Sequence, residues 1–264
     1  MRLLSNNKNK YDLGSISFLE NKETFFSYYY FLINKILDDR RLYQIYQNLS
    51  SNIDLEVQNY VFFAMQVQPE RSSYPLAGVF DDQITSIKML SDSIPNNWKV
   101  FVKEHPKLLR NPNLTSKNYR SHEYYSFINS LPNVELVSID VESKELIDNA
   151  QAVFTATGSV GWEALLQSKK VGVFGFPWYL GCSTIFEIRT KKDIKKLLDY
   201  SMSTELVDRS LMEYFITYSD LFFTGARDYN FTDKNDENYD FLVSNFAESI
   251  KNFKKYQKRW IKLS

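Results

Sequence analysis

Residues 151–167 place the tightest constraint on the fold. Ala152-Val153-Phe154 is a short apolar run that reads as the end of a buried strand. Thr157-Gly158-Ser159 then reads as a tight turn, and Val160 to Gln167 carries apolar residues at helical spacing, with Ala164, Leu165 and Leu166 following Glu163. Gly158 gives the turn backbone freedom, and Ser159 is a favourable N-cap. A strand that turns into a helix this way leaves backbone N–H groups without acceptors and aims the positive end of the helix dipole beyond the strand end. Phosphate is the usual occupant of such a place. The same stretch also fits an ordinary capped helix in an α/β domain.

The flanking sequence alternates in the same way. Apolar, β-prone runs occur at Tyr60 to Met65, Trp98 to Val102, Val134 to Val137 and Val171 to Gly175. Helical patterns fall at residues 23–50, 80–93, 123–130, 143–149, 191–201, 204–218 and 238–261, and Ser143 is read as a cap. Lys107 to Ser121 reads as a loop. Strands alternating with helices predict right-handed crossovers and a Rossmann-like, mostly parallel α/β sheet with helices on both faces. The expected organisation is a helical N-terminal segment over 1–58, the α/β domain over 59–232, and a long C-terminal helix over 233–264 that packs back on it.

Composition narrows the function classes. Thirty-two basic residues balance 32 acidic ones in 264, so no global charge draws the chain to nucleic acid. One cysteine, Cys182, excludes an internal disulfide and suits a reducing compartment. The start, Met-Arg-Leu-Leu-Ser-Asn-Asn-Lys, lacks the apolar core of a signal peptide, and no run approaches a membrane span. The expected location is the cytoplasm, with attachment to the inner face of the membrane left open.

Open parallel sheets bind ligands beyond the carboxyl ends of their strands. Three segments lie there. After the first strand comes Gln68-Pro69-Glu70-Arg71-Ser72-Ser73, where Glu70 is a candidate general base or substrate contact, or a surface ion pair with Arg71. After the second comes Lys103-Glu104-His105-Pro106; strand alternation would put Lys103 and His105 on one side, suited to a phosphate leaving group. His105 could instead cap a loop, with Pro106 barring helix continuation. The third is the turn itself, where Thr157, Gly158, Ser159 and Val160 would hold phosphate and Glu163 would reach a ribose hydroxyl or steady the helix end. Trp178 and Tyr179 could stack on a base or sugar, or pack internally. His122 reads as structural or exposed, and Cys182 as inert. No cluster has metal-ligand spacing, so no metal and no cofactor are expected.

The order and spacing of these segments, with Lys170 to Gly175 and Trp178-Tyr179 behind them, resemble the capsule polysaccharide biosynthesis family over roughly residues 58–182. Members of that family look like GT-B glycosyltransferases. The resemblance implies a donor-binding lobe that takes a nucleotide-sugar, CMP-, UDP- or GDP-linked, as substrate and transfers the sugar to a glycan acceptor without a metal. It assigns donor phosphate contacts to His105 and Ser159 and a nucleoside contact to Glu163. A full GT-B enzyme carries an acceptor lobe in front, whereas residues 1–58 read as mostly helical; the expectation is either a one-lobe fragment or an acceptor site supplied by another chain, with a protein partner or a homo-oligomer left open. Two alternatives stay open: a non-catalytic partner module of a polysaccharide-synthesis complex, and a nucleotide-sugar 2-epimerase-like enzyme.

Overall fold

A computed structural model describes residues 40–52, 59–68, 75–110 and 120–218, together with residues 30, 33 and 37. The predicted C-terminal helix, half of the first helix and Glu70 with its neighbours lie outside the described residues. The chain divides into two compact units. One comprises Met1–Leu180 with Ile185–Met202, and the other Gly181–Thr184 with Ser203–Ser264.

The first unit holds a six-stranded sheet whose neighbours are all parallel: β1 (Tyr60–Ala64), β2 (Lys99–Lys103), β3 (Val134–Val137), β4 (Ala152–Thr155), β5 (Val171–Val173) and β6 (Ile185–Glu187), in the order β3-β2-β1-β4-β5-β6. This is the doubly wound order, in which the chain starts at the centre, runs to one edge and returns to build the other half. The sequence reading of five strands misses β6, which is three residues long and partly exposed at the sheet edge.

Strand sequences such as Tyr-Val-Phe-Phe-Ala lack polar alternation because both faces are covered. Val61, Phe63, Val100, Val102 and Phe154 share one core with Ile87 and Leu90 of α2 (Gln83–Ser91), Ile128 of α4 (His122–Ser130), and Ile194 and Leu197 of α7 (Lys191–Asp199). Tyr60, Phe62, Phe101 and Val153 alternate with them and are just as buried. On that side the Tyr60 hydroxyl donates to the Leu146 carbonyl of α5 (Ser143–Asn149) at 2.9 Å.

Local chemistry corrects three sequence expectations. Pro106 does not bar a helix but opens one, α3 (Pro106–Arg110), where a missing N–H costs nothing. The caps of α5 and of α6 (Ser159–Leu166) are Glu142 and Gly158, so Ser143 and Ser159 are the first helical residues rather than caps. Gly158 sits at φ −72° and ψ 153°, open to any residue. Glycine is required there for space, since an added Cβ would lie 2.8 Å from Thr155 Oγ1.

The N-terminal helix, α1 (residues 40–49), joins this unit through Tyr46. Its hydroxyl donates to the Val137 carbonyl at 2.6 Å and accepts the Glu104 N–H at 3.0 Å, closing the ends of β3 and β2 together. In the second unit, α8 (Thr204–Tyr218) meets the segment around Thr184, whose hydroxyl bonds Ser210 Oγ at 3.1 Å. Cys182 is buried there, and desolvation pushes its thiol up to about 11.

Candidate functional site

The strand order reverses between β1 and β4, so the crevice of the doubly wound sheet opens beyond the carboxyl ends of these two strands. Ala64 pairs with Lys103, and Phe63 pairs with Phe154, which sets the ends of β2, β1 and β4 level. Parallel neighbours lie about 4.8 Å apart, so the loops after β2 and β4 leave the sheet only about 10 Å from one another. His105 is in the first loop and the Gly158–Ser159 turn is in the second.

His105 is exposed, and its Nδ1 accepts the Lys107 N–H at 3.1 Å in the first turn of α3. It therefore caps that helix. An accepting Nδ1 puts the proton of the neutral ring on Nε2. The His105 N–H donates to Glu104 Oε1 at 2.8 Å, so the backbone that carries the ring is also held.

Lys103 does not share a side with His105 as expected. The strand ends at Lys103 and the chain turns into α3, so strand alternation stops there. Its buried ammonium donates to the Val141 carbonyl and to Ser143 Oγ, at 2.5 and 3.1 Å, tying β2 to the start of α5.

On the other side, Ser159 and Glu163 are both exposed, and the Ser159 hydroxyl lies 3.4 Å from Glu163 Oε1. Ser159 and Val160 open α6, where backbone amides have no intrahelical acceptor. Thr157 is buried, and its N–H and hydroxyl meet the two ends of the Gln66 amide at 3.0 Å each. It holds the turn rather than facing the crevice. Tyr179 is likewise fully buried, with its hydroxyl donating to the Gly158 carbonyl at 2.5 Å beneath the turn. Trp178 is 53% exposed and sits 4.7 Å from Trp162, ring centre to ring centre. It offers a face that Tyr179 does not.

Between the two loops runs a buried polar chain that sequence reasoning missed. Arg120 Nε donates to Glu104 Oε2 at 2.5 Å, with both side chains fully buried. The same guanidinium reaches Gln68 Oε1 at 2.7 Å and the Gln66 carbonyl at 3.1 Å. Gln83 bonds the N–H and carbonyl of Gln66 at 2.8 and 3.0 Å, and Tyr125 donates to Glu104 Oε2 at 3.0 Å. Burial is the largest influence on the Arg120 charge and opposes it, but the Glu104 carboxylate and the neighbouring Tyr124 and Tyr125 together hold the guanidinium above its ordinary value. The Tyr125 hydroxyl is pushed well up by burial and by the same carboxylate. The signal available in sequence was slight: polar Gln66 and Gln68 directly after an apolar strand.

Among the described residues no group of three His, Cys, Asp or Glu could hold a metal ion. No helix among them is long and apolar enough to cross a membrane. His122 is exposed at the start of α4.

A family profile described as capsule polysaccharide biosynthesis protein matches residues 25–193. An 82-residue stretch is 30% identical to the capsule polysaccharide modification protein LipA of Neisseria meningitidis serogroup B, covering 31% of this chain. The chain thus spans 10% of the length of the curated relative it matches. Among solved structures, the KpsC beta Kdo 2,7 transferase of Thermosulfurimonas dismutans aligns with a TM-score of 0.41 at 16% identity, over 67% of this chain and 51% of that one. The UDP-GlcNAc 2-epimerase of Methanocaldococcus jannaschii aligns with a TM-score of 0.39 at 12% identity, over 67% of this chain and 49% of that one.

Proposed function

The chain belongs to the capsule polysaccharide biosynthesis family, and from that premise we propose that it is the donor-binding part of a glycosyltransferase. Its substrate is a CMP-, UDP- or GDP-linked sugar and its acceptor a glycan hydroxyl. The bond from the anomeric carbon to the nucleotide phosphate breaks, the acceptor oxygen bonds that carbon, and the hydroxyl proton leaves to a base. Glu70, which lies outside the described residues, is the candidate base.

Transfer leaves negative charge on the departing phosphate, and stabilising that charge is the largest task of the site. His105 donates to it from Nε2, and the Ser159 and Val160 amides with the Ser159 hydroxyl receive it from the α6 side. Glu163 binds a ribose hydroxyl, and Trp178 stacks on the base or sugar. Lys103, Thr157, Gly158 and Tyr179 shape the loops and touch no donor atom. No metal takes part. The observation that carries the reading is that the exposed His105, whose imidazole caps α3, follows β2 on one side of β1, while the first turn of α6 follows β4 on the other.

Titration calorimetry with CMP-, UDP- and GDP-sugars tests it, with His105→Asp beside the native chain. Aspartate keeps an acceptor for the cap on α3 but has no N–H to donate to phosphate. One nucleotide series should bind, and the variant should lose about 100-fold in transfer with an unchanged fold. EDTA should leave transfer unaltered. Absence of binding by any nucleotide, or full activity in the variant, rejects the reading.

A further inference from the structure

We propose that Arg120 is a positioning residue that sets the orientation of His105 and of the Gly158–Ser159 turn together, through one buried chain of bonds. The relevance to a donor rests on the functional reading above; the geometric claim does not. The chain runs from the His105 N–H to Glu104 Oε1, from Glu104 Oε2 to Arg120 Nε, from the guanidinium to the Gln66 carbonyl and Gln68 Oε1, and from the Gln66 amide to Thr157. It crosses the ends of β2, β1 and β4 in sequence.

Stability alone does not explain this arrangement. A buried ion pair gives back in desolvation much of what its charges gain, and an apolar pair of similar volume serves as well or better. What the pair supplies is direction. One planar guanidinium serves three acceptors on two loops, a geometry that a lysine ammonium cannot reproduce. The Glu104 carboxylate is likewise divided: Oε2 takes Arg120 and Tyr125, while Oε1 fixes the N–H of His105. Turning the guanidinium would rotate the carboxylate, and with it the backbone that sets the imidazole and its Nδ1 contact to Lys107. At the other end the Gln66 amide grips both the N–H and the hydroxyl of Thr157, the residue before the turn. Through these bonds both loops are referred to Arg120.

The test is Arg120→Lys, which keeps the charge and loses the fork. The chain has two histidines, His105 and His122, so the imidazole resonances are few and assignable. In the native chain the nitrogen and carbon shifts of His105 should report the tautomer protonated at Nε2. In Arg120→Lys they should move toward a mixture of tautomers, and nucleotide affinity should fall by about tenfold or more. Gln68→Met, which removes a single acceptor of the guanidinium, gives a milder variant should the lysine chain fail to fold; it should move the same signals less. A folded variant of either kind whose melting temperature drops while its His105 shifts stay native would make Arg120 merely structural and overturn the proposal. The shifts need no nucleotide. If the native chain binds none, the donor reading fails while the shift of His105 still decides the role of Arg120.

Discussion

At the scale of single residues, the turn under α6 is built on space. A Cβ at Gly161 would lie 2.2 Å from the Tyr179 hydroxyl oxygen, which itself donates to the Gly158 carbonyl. Gly161→Ala should therefore cost about 1–3 kcal/mol, as overpacking does. Tyr179→Phe should cost about 1 kcal/mol for the lost bond. Because the second change removes the atom the first one strikes, the double variant should be more stable than the sum of the two, a coupling that denaturant melts of all four chains would measure. Cys182 is a separate case: burial raises its thiol to about 11, so iodoacetamide should label the native chain at least about 100-fold more slowly than the unfolded one. Gly158, Ser159 and His105 stood out in the sequence because turn chemistry shows in neighbours, although the cap of α6 is Gly158, at an ordinary φ, and not Ser159. Arg120 did not stand out, because a basic residue in a polar loop looks solvated until Glu104, Gln66 and Gln68 close on it from other strands.

At the scale of elements, strands buried on both faces were legible because nothing polar interrupts them. Tyr60–Ala64 and Ala152–Thr155 could be little else. The elements that were missed, α3 and β6, are short, and each draws its definition from its surroundings: α3 from the His105 cap and β6 from pairing with β5. Helix α7 shows how a well-signalled end behaves. Thr190 and Asp193 form a reciprocal capping box, and the Asp193 carboxylate accepts from the Thr190 hydroxyl and N–H at 2.8 Å each and from the Arg189 N–H at 3.2 Å. These bonds, that of the Thr190 side chain foremost, hold its carboxyl below the ordinary aspartate value. A folded pKa below the unfolded one means that the native state binds the proton less tightly. The contribution is complete at neutral pH and is lost as pH falls from about 4 through the folded value. Thermal melts of wild type and Asp193→Asn should accordingly differ most near neutrality and converge as pH falls below the ordinary aspartate value.

At the scale of the whole molecule, the doubly wound order fixes where the crevice lies. That order places the loops after β2 and β4 on either side of β1, with one buried polar chain across the gap. The family resemblance supplied the chemical expectation, and the topology explains why three segments far apart in sequence could serve one ligand. A crystal structure of the chain soaked with the nucleotide it binds is the most direct test. One phosphate group should have His105 Nε2 and the Ser159 N–H both within about 3.2 Å of its oxygens. A nucleotide seated elsewhere, or one whose phosphates meet neither group, would contradict this placement.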